Sequence, residues 1–336
     1  MTCRERVRTA LRHQQPDLCP WSLSFTQDAL RKLIDYTGDP EILEKLGNHL
    51  ASVAPTPPQA WVEIAPGLWR DEFGVTWDRS HTHKDIGNPD GALFPEPRLG
   101  DYRFPDPDDP ARWAAFGEFV AAHPHEFRVM DIGFSLFERA WTMRGMANLL
   151  MDMIAHPAFV DELLEAITEF NLALVRRGVK YDVDAVQFGD DWGQQQGMIM
   201  GPRLWRRFLK PHLERMYAAV HEGGKYVFIH SCGKVDEVFP ELIDIGLNCF
   251  NPFQPEFMDV YEMKRLYGDR LSFFGGVSTQ RTLPYGTPEE TQAEARRLMR
   301  EIGKSGGYIL SPAHAIPGDA RPENMVALIE AVQNQP

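Results

Sequence analysis

Cysteine is scarce in this sequence, and long apolar runs are missing from it. The 336 residues include four cysteines, Cys3, Cys19, Cys232 and Cys249. They are too few and too widely spaced for a disulfide framework in a chain of this length, so we expect reduced thiols. No apolar stretch approaches the roughly 18 to 20 residues of a membrane-spanning helix, and the amino terminus lacks an apolar export segment. We therefore expect a cytoplasmic protein without membrane partners.

Positive charge is also in short supply. Lys and Arg number 35 against 48 Asp and Glu, which gives a formal net charge of −13. Such a charge repels phosphate backbones, so a nucleic acid is not an expected partner. Motifs of several enzyme classes are absent as well: Gly303-Lys304-Ser305 lacks the upstream glycine of a phosphate-binding loop, and neither G-x-G-x-x-G after a strand nor G-x-S-x-G occurs. These absences argue against kinases, nucleotide hydrolases and serine hydrolases.

What the sequence does contain is a regular alternation of short apolar segments with helical patterns. Segments that indicate strands occur at residues 19–25, 127–134, 185–188, 226–230, 248–253, 271–274 and 308–311. Strands that alternate with helices are typical of parallel βαβ units, and about eight such units favour a closed barrel. We predict an α/β protein with a (β/α)8 TIM-barrel fold, built as one domain of residues 1–336. Pro- and Gly-rich sequence at about 55–110 predicts a loop-rich insertion over one barrel mouth.

Two predicted helices begin with a capping box, in which the first and fourth side chains each bond the other's backbone. Thr2 with Glu5 predicts a short helix at the start of the sequence. Thr287 with Glu290 predicts a second helix start, with Pro288 at its first turn.

Polar residues follow the predicted strands at the positions where barrel enzymes carry their working groups. The candidates are Asp190, Asp191, Trp192, His230, Cys232, Gln254, Glu256, Gln280 and His314. Asp190 and Asp191 can supply a general base, orient a ligand or complete a metal shell, although one of them can equally cap the following helix. For Trp192, Gln254, Glu256 and Gln280 we predict substrate contacts, with solvated loops as the alternative.

The His230-Ser231-Cys232 sequence predicts a metal site. Side chains two residues apart in an extended segment point to the same side, so an imidazole nitrogen and a thiolate can share one ion. His314, after the last strand, can supply a third ligand and leave the open position typical of catalytic zinc. A lone His-x-Cys pair also occurs without metal, and Cys249 is predicted to be a core residue.

His81, His83 and Asp85 form a rival metal cluster within the predicted insertion. No predicted strand holds these three side chains in place, so a solvated loop is the favoured interpretation there.

Several of these segments together resemble the uroporphyrinogen decarboxylase superfamily, in the same order along the chain. They are residues 4–7 with 16–17, 189–192, Pro211, 229–233, 275–278 and 312–316. The resemblance implies the TIM-barrel fold and one of two activities. Porphyrinogen decarboxylases hold a polyanionic substrate with an Arg-Gln-x-Gly-Arg pattern after the first strand, and residues 24–32 lack it. An acidic protein without that basic clamp is a poor host for a polyanion.

The other branch that the resemblance implies comprises corrinoid-linked methyltransferases, including methylcobalamin:coenzyme M enzymes and O-demethylase components. Their zinc is held by a His-x-Cys after one strand, matched by His230 and Cys232, and by a further ligand, usually cysteine, after the last strand. His314 stands there instead, and it can ligate or bind substrate as the decarboxylase histidine does. One thiolate and two imidazoles would leave zinc with a formal charge of +1, which favours polarising a methoxy or methylated-heteroatom substrate for transfer to a cob(I)alamin carrier protein.

The resulting hypothesis is a zinc-dependent methyltransferase with a corrinoid partner protein. The alternative is a metal-independent decarboxylase or lyase for a small carboxylated substrate, in which Asp190, Asp191 and His314 move protons. A ligand-binding barrel without catalysis is a third hypothesis, and the sequence leaves a homodimer open.

Overall fold

The strands of the computed structural model, which describes residues 1–80 and 86–335, form three sheets. The rival cluster at His81, His83 and Asp85 lies outside the described residues. The strands are β1 (Leu50–Val53), β2 (Trp61–Ala65), β3 (Leu68–Asp71), β4 (Thr76–Asp78), β5 (Asn88–Pro89), β6 (Phe127–Ile132), β7 (Ala185–Gly189), β8 (Gly193–Gln194), β9 (Gly197–Met198), β10 (Tyr226–His230), β11 (Cys249–Phe253), β12 (Ser272–Val277) and β13 (Tyr308–Pro312).

Seven parallel strands form the wall of a barrel, in the order β1-β6-β7-β10-β11-β12-β13. Each crossover between neighbours carries helical sequence that packs on the outside of the sheet, as parallel pairing requires. The α/β TIM-barrel prediction is therefore confirmed. Strand β10 has the predicted bounds, while β1 was not foreseen in the sequence.

The eighth position of the barrel is filled by an irregular segment, residues 20–26, where a regular strand had been predicted. Trp21 and Phe25 form isolated parallel bridges to Leu310 and Ile316 on one side. On the other side, the His49 amide donates to the Trp21 carbonyl at 2.9 Å. Pro20 has no N–H to give to a ladder, which helps to explain why this segment stays irregular. The barrel closes, but by bridges and not by a continuous eighth strand.

Fourteen α-helices occur in the described residues, with a short 3-10 helix at Asp236–Val238. The α-helices are α1 (Cys3–Leu11), α2 (Gln27–Thr37), α3 (Pro110–Trp113), α4 (Phe116–Ala122), α5 (Phe137–Arg144), α6 (Met146–Ala155), α7 (Pro157–Gly178), α8 (Gly201–Phe208), α9 (Lys210–Glu222), α10 (Phe239–Asp244), α11 (Val260–Tyr267), α12 (Thr282–Tyr285), α13 (Pro288–Glu301) and α14 (Pro322–Gln333). Both predicted capping boxes are present, at α1 and α13. None of the helices in residues 1–80 and 86–335 combines the length and apolar content needed to cross a bilayer.

The barrel interior has an apolar floor and a polar upper layer. Helix α1 closes the amino-terminal end, where its side chains pack against inward-facing residues of the strands; the members of this cluster include Val7, Leu11, Phe127, Ala185, Phe228, Cys249 and Ile309. Cys249 is fully buried there, which confirms its prediction as a core residue. Strand side chains alternate between faces, so the inward residues two positions farther along form the next layer. That layer is polar, with Gln187, His230, Asn251 and Ser311.

A four-stranded antiparallel sheet, β2-β3-β4-β5, lies within the predicted insertion. Its Trp77 ring contacts Phe134, just after β6, with centroids 5.2 Å apart. Asp71 of β3 accepts a hydrogen bond from Arg139 of α5 at 2.7 Å. These contacts place the sheet beside the carboxyl end of β6. The extent of the domain, residues 1–336, stays a prediction.

Candidate metal centre

Three ligand atoms meet at the carboxyl ends of the barrel strands. His230, Cys232 and His314 each offer one donor atom, and these atoms all lie within 4.8 Å of one another, the one group of this kind in the described part of the chain. The Cys232 Sγ is 3.4 Å from the His230 Nε2, and the two imidazole rings have centroids 5.5 Å apart. His230 ends β10, whereas His314 comes two residues after β13. The structure thus brings together the three predicted metal ligands.

Hydrogen bonds from both neighbouring strands fix the loop after β10. The Ser231 amide donates to the Asn251 carbonyl at 2.7 Å, and the Cys232 amide donates to Asp191 Oδ1 at 2.7 Å. Gly233 has a φ of +84°, and a Cβ there would lie 2.4 Å from the Gly193 backbone, so only glycine fits. These contacts fix the backbone that carries the Cys232 side chain.

Asn251 determines which ring nitrogen of His230 carries the proton. The Asn251 amide nitrogen donates to the Phe274 carbonyl at 2.9 Å, which leaves its Oδ1 to face His230 Nδ1 at 2.6 Å. An oxygen can only accept, so Nδ1 carries the proton and Nε2 keeps a lone pair directed to the Cys232 side. A second hydrogen bond of this kind is typical of metal-binding histidines. The donor set of two imidazoles and one sulfur fits zinc.

Replacing Asn251 with alanine is expected to weaken zinc binding about 10- to 100-fold, because the His230 ring loses the partner that orients it. The measurement is competition with a chromogenic chelator. Asn148, whose side chain caps a backbone carbonyl of α5 far from the centre, supplies the control variant Asn148→Ala. Equal affinities in the two variants would contradict the assigned role of Asn251.

Negative charge surrounds the sulfur. Burial raises the pKa of the Cys232 thiol, and the charges of Asp191 and Glu138 raise it further. Burial also raises the pKa of Glu138 well above its ordinary value, with added repulsion from Asp191 and Asp190. A cation bound here would reverse this preference and stabilise the thiolate. Glu138 was missed in the sequence, although its place in the first turn of the helix after β6 is a usable signal.

The two adjacent carboxylates have different surroundings. Asp190 is fully buried, and its oxygens accept from the Glu138 amide at 2.8 Å and the Trp192 indole at 2.5 Å. It therefore caps α5, a helix that precedes it in the chain, and burial raises its pKa to about 6. Asp191 is partly exposed and lies 4.0 Å from His230 Nε2. Only Asp191 faces the centre, and a catalytic role for either carboxylate stays a prediction.

The four residues predicted to contact substrate lie in the loops after β7, β11 and β12. Trp192 is fully buried and packs edge-on against Trp205. Gln254 Oε1 accepts from the Gly233 amide at 2.7 Å. Glu256 Oε1 accepts from the Ser278 hydroxyl at 2.5 Å and from the backbone amide of Gln280, whose side chain is exposed. The structure does not bring these four side chains together around the metal ligands, and their contact with substrate stays a prediction.

A cavity of about 280 Å³ opens beside the two histidines, and we call it the barrel cavity. Its lining mixes polar and apolar residues and, in the described part of the chain, carries no lysine or arginine; the residues are Ser22, Ser24, Leu50, Ala51, Ser52, Val129, Gln187, His230, Asn251, Phe274, Ser311, Pro312, His314 and Ala315. His314 is exposed at the barrel mouth. Partial desolvation by the surrounding wall, together with the nearby His230, lowers its pKa. The neutral imidazole that this favours is the form that binds metal.

Comparison with known proteins identifies the family of this chain. A family model described as Uroporphyrinogen decarboxylase (URO-D) matches residues 128–335. The methylcobamide:CoM methyltransferase MtaA of Methanosarcina barkeri is 26% identical over 200 residues, which cover 56% of each chain. A uroporphyrinogen decarboxylase of Chlorobaculum parvum is 25% identical over 222 residues, 62% of this chain and 60% of that protein. The matches thus span less than two thirds of these relatives.

The fold is shared over a greater length. A methyltransferase from Methanosarcina mazei superposes with a TM-score of 0.75 over 99% of this chain and 98% of that one, at 19% sequence identity. The family model covers more than half of the sequence and includes β10, β13 and all three candidate ligands. The chain belongs to the uroporphyrinogen decarboxylase (URO-D) family.

Proposed function

We propose that this protein is a zinc-dependent methyltransferase. It would move a methyl group between a small methylated substrate, with a methoxy or heteroatom-bound methyl, or a thiol, and a corrinoid cofactor on a partner protein. The observation that carries the proposal is the convergence of His230, Cys232 and His314 within 4.8 Å, beside the barrel cavity. A relative named as a methylcobamide:CoM methyltransferase supports the same reaction class.

The three donors suit a catalytic metal because they leave a coordination position open. Zinc held there would supply Lewis acidity for a heteroatom of the substrate. His230 presents its Nε2 because Asn251 holds the proton on Nδ1. The backbone amide of Cys232 donates a hydrogen bond to the Asp191 carboxylate, which holds the residue in place. These contacts orient the ligands before substrate arrives, which lowers the reorganisation that binding requires.

Asp191 is the residue of this chain best placed to handle a proton. One carboxylate oxygen accepts from the Cys232 amide, 4.0 Å from His230 Nε2 on the same side. The Cys232 thiol also forms a side-chain hydrogen bond with the Asp191 carboxylate. We assign this carboxylate to accept the proton of a thiol or hydroxyl bound at the metal centre, while Asp190 holds the adjoining helix.

A decarboxylase is the second candidate, because the family also contains relatives of that name at similar identity. The barrel cavity argues against a polyanionic substrate, since no lysine or arginine lines it within residues 1–80 and 86–335. Burial of several carboxylates without cations would be strongly unfavourable. This candidate therefore reduces to a small carboxylated substrate, turned over by Asp191 and His314 without a metal.

Metal removal separates the two candidates. We expect purified protein to hold about one zinc per chain by elemental analysis, and a chelator to abolish methyl transfer, because the Lewis acid supplies several kcal/mol of the catalysis. The assay follows the absorption change between methylcob(III)alamin and cob(I)alamin, with thiol acceptors in one direction and methoxy compounds in the other. Protein treated with zinc-saturated chelator is the control, and added zinc should restore the rate. Full activity in metal-free protein would refute the proposal.

A further inference from the structure

A second cavity, of about 260 Å³, lies between the insertion sheet, the end of β6 and helix α7. Its walls include Trp61, Phe73, Phe134 and Phe170, and we call it the aromatic chamber. The Phe73 and Phe170 rings meet edge to face with centroids 5.2 Å apart. Phe134 has a φ of +49°, a backbone conformation uncommon for a bulky residue and typically maintained by surrounding contacts at functional sites. Aromatic rings therefore form much of the chamber wall.

An almost buried arginine lines this chamber with most of its donors unused. The Arg139 side chain is 9% exposed and lies over the Phe73 ring at 3.9 Å. A guanidinium has five N–H donors, yet among the described residues Arg139 donates one hydrogen bond, from an Nη to Asp71 Oδ2 at 2.7 Å. Its Nε is buried and has no partner. Unpaired buried donors are rare in native proteins and call for an explanation.

Asp71, the partner of Arg139, balances the positive charge of the guanidinium only in part. Its carboxylate also accepts from the amides of Phe73 and Val75 and from the Trp77 indole. Because four donors share that negative charge, the positive charge of Arg139 is incompletely balanced. Arg112, the other arginine of the chamber, differs in this respect, since Glu72 and two backbone carbonyls occupy its guanidinium.

A second unused donor lies in the same wall. Ser135 is fully buried, and its hydroxyl has no hydrogen-bond partner among the residues that the structure describes. Leaving such a group unpaired is unfavourable by about 1 to 3 kcal/mol. Ser135 and Arg139 both line the chamber, so one ligand oxygen group could satisfy the two of them.

The aromatic chamber borders the barrel cavity. Asp131 lines the chamber, and Gln187, on the neighbouring strand, lines the barrel cavity. The Gln187 amide donates to Asp131 at 3.5 Å, so the two cavities are separated by this pair of side chains. A ligand bound in the chamber therefore lies on the same side of the barrel as the candidate metal centre.

We propose that the aromatic chamber binds an aromatic ring that carries an oxygen acceptor such as a carboxylate or a phenolic oxygen. Arg139 and Ser135 donate to that oxygen, and the ring packs between Phe73, Phe134 and Phe170. The volume is sufficient, since a cavity of about 150 Å³ already holds benzene. The inference rests on the proposed function in one respect: the ring would be the non-reacting part of the methyl-bearing substrate.

The test is equilibrium binding to the purified full-length protein by calorimetry, which needs neither turnover nor bound zinc. Three probes separate the contributions: 3-methoxybenzoate has ring and acceptor, cyclohexanecarboxylate has only the acceptor, and benzylamine has only the ring. We expect 3-methoxybenzoate to bind at least about tenfold more tightly than either of the others. The variant Phe170→Leu keeps a similar apolar volume but loses the ring. It should reduce the difference in affinity between 3-methoxybenzoate and cyclohexanecarboxylate.

Ser135→Ala provides the sharper variant. Removing one hydrogen bond should weaken the binding of 3-methoxybenzoate about two- to tenfold. The melting temperature should not fall, because the hydroxyl has no partner in the described part of the protein. Ser272→Ala is the matched control, as this serine is also fully buried with an unpartnered hydroxyl but does not line the chamber. Equal binding of the three probes, or an unchanged affinity in Ser135→Ala, would overturn the inference.

The two proposals can fail separately. Aromatic binding in a protein that holds no zinc and transfers no methyl group would refute the methyltransferase and leave the chamber's ligand class supported. Zinc-dependent methyl transfer from methanol, with no measurable affinity for 3-methoxybenzoate, would support the methyltransferase and refute the ligand class of the chamber.

Discussion

Replacing Cys232 with alanine is expected to lower bound zinc below about one tenth per chain and methyl transfer on the order of 1,000-fold, since even outer partners of a metal site contribute 10- to 100-fold. The variant loses the only thiolate of the donor set. His230 and His314 then remain as two neutral ligands beside the carboxylates of Asp191 and Glu138. Two imidazoles alone hold zinc far less tightly than three protein ligands do.

Elemental analysis of the purified variant, followed by the corrinoid absorption assay, measures both effects. Cys3→Ala is a suitable control because Cys3 is also a free, partly buried cysteine but lies on α1, at the opposite end of the barrel. The control should keep its zinc and its rate. A Cys232→Ala protein with a full zinc complement would mean that sulfur is not a ligand, and the proposed function would lose its main support.

Replacing Asp71 with alanine is expected to lower the free energy of unfolding by about 3 to 5 kcal/mol, the usual effect of breaking a buried ion pair from one side. Asp71 and Arg139 are both buried. Without the carboxylate, the guanidinium keeps its charge with no partner. The amides of Phe73 and Val75 and the Trp77 indole lose their acceptor as well.

Thermal melting followed by circular dichroism tests this prediction. Asp108→Ala is the control, because Asp108 is 76% exposed and pairs with Arg177 at the surface. Exposed pairs of this kind contribute about 0 to 1 kcal/mol, so its melting temperature should hardly change. Equal melting temperatures for the two variants would show that the insertion sheet does not depend on the Asp71 to Arg139 contact.

The barrel strands differ in how well the sequence predicts them. β10 is a continuous apolar run between Gly223-Gly224 and Ser231, which is typical of a strand buried on both faces, and its bounds were predicted to the residue. β1 has only four half-buried or exposed residues, and it exists because β6 pairs with it. In segment 20–26 the apolar pattern is present, but Asn48 bonds the Leu23 backbone through its side chain in place of a regular ladder. Pairing partners distant in sequence decide both of these cases.

The candidate site shows the same division. The approach of His230, Cys232 and His314 follows from strand order, because the carboxyl ends of parallel strands meet at one barrel mouth. The capping of α5 by Asp190 could not be predicted, since the bonded amide lies 52 residues earlier in the chain. The hydrogen bond that Gln254 accepts from Gly233 of a neighbouring loop could not be predicted either. Local patterns show which residues follow a strand, whereas their partners depend on the packed structure.

The barrel is sealed by contacts between residues that are far apart in sequence. The Thr26 hydroxyl donates to the Ile316 carbonyl across 290 positions, and Trp21 bridges Leu310. His314 lies between Leu310 and Ile316, so it reaches its place only when these contacts close the barrel. During synthesis they cannot form until residue 316 has been added, and contacts of such long range form late in folding. An ion held by all three side chains would bind the closed barrel more tightly than the open one. Metal binding would therefore shift the population toward the closed barrel.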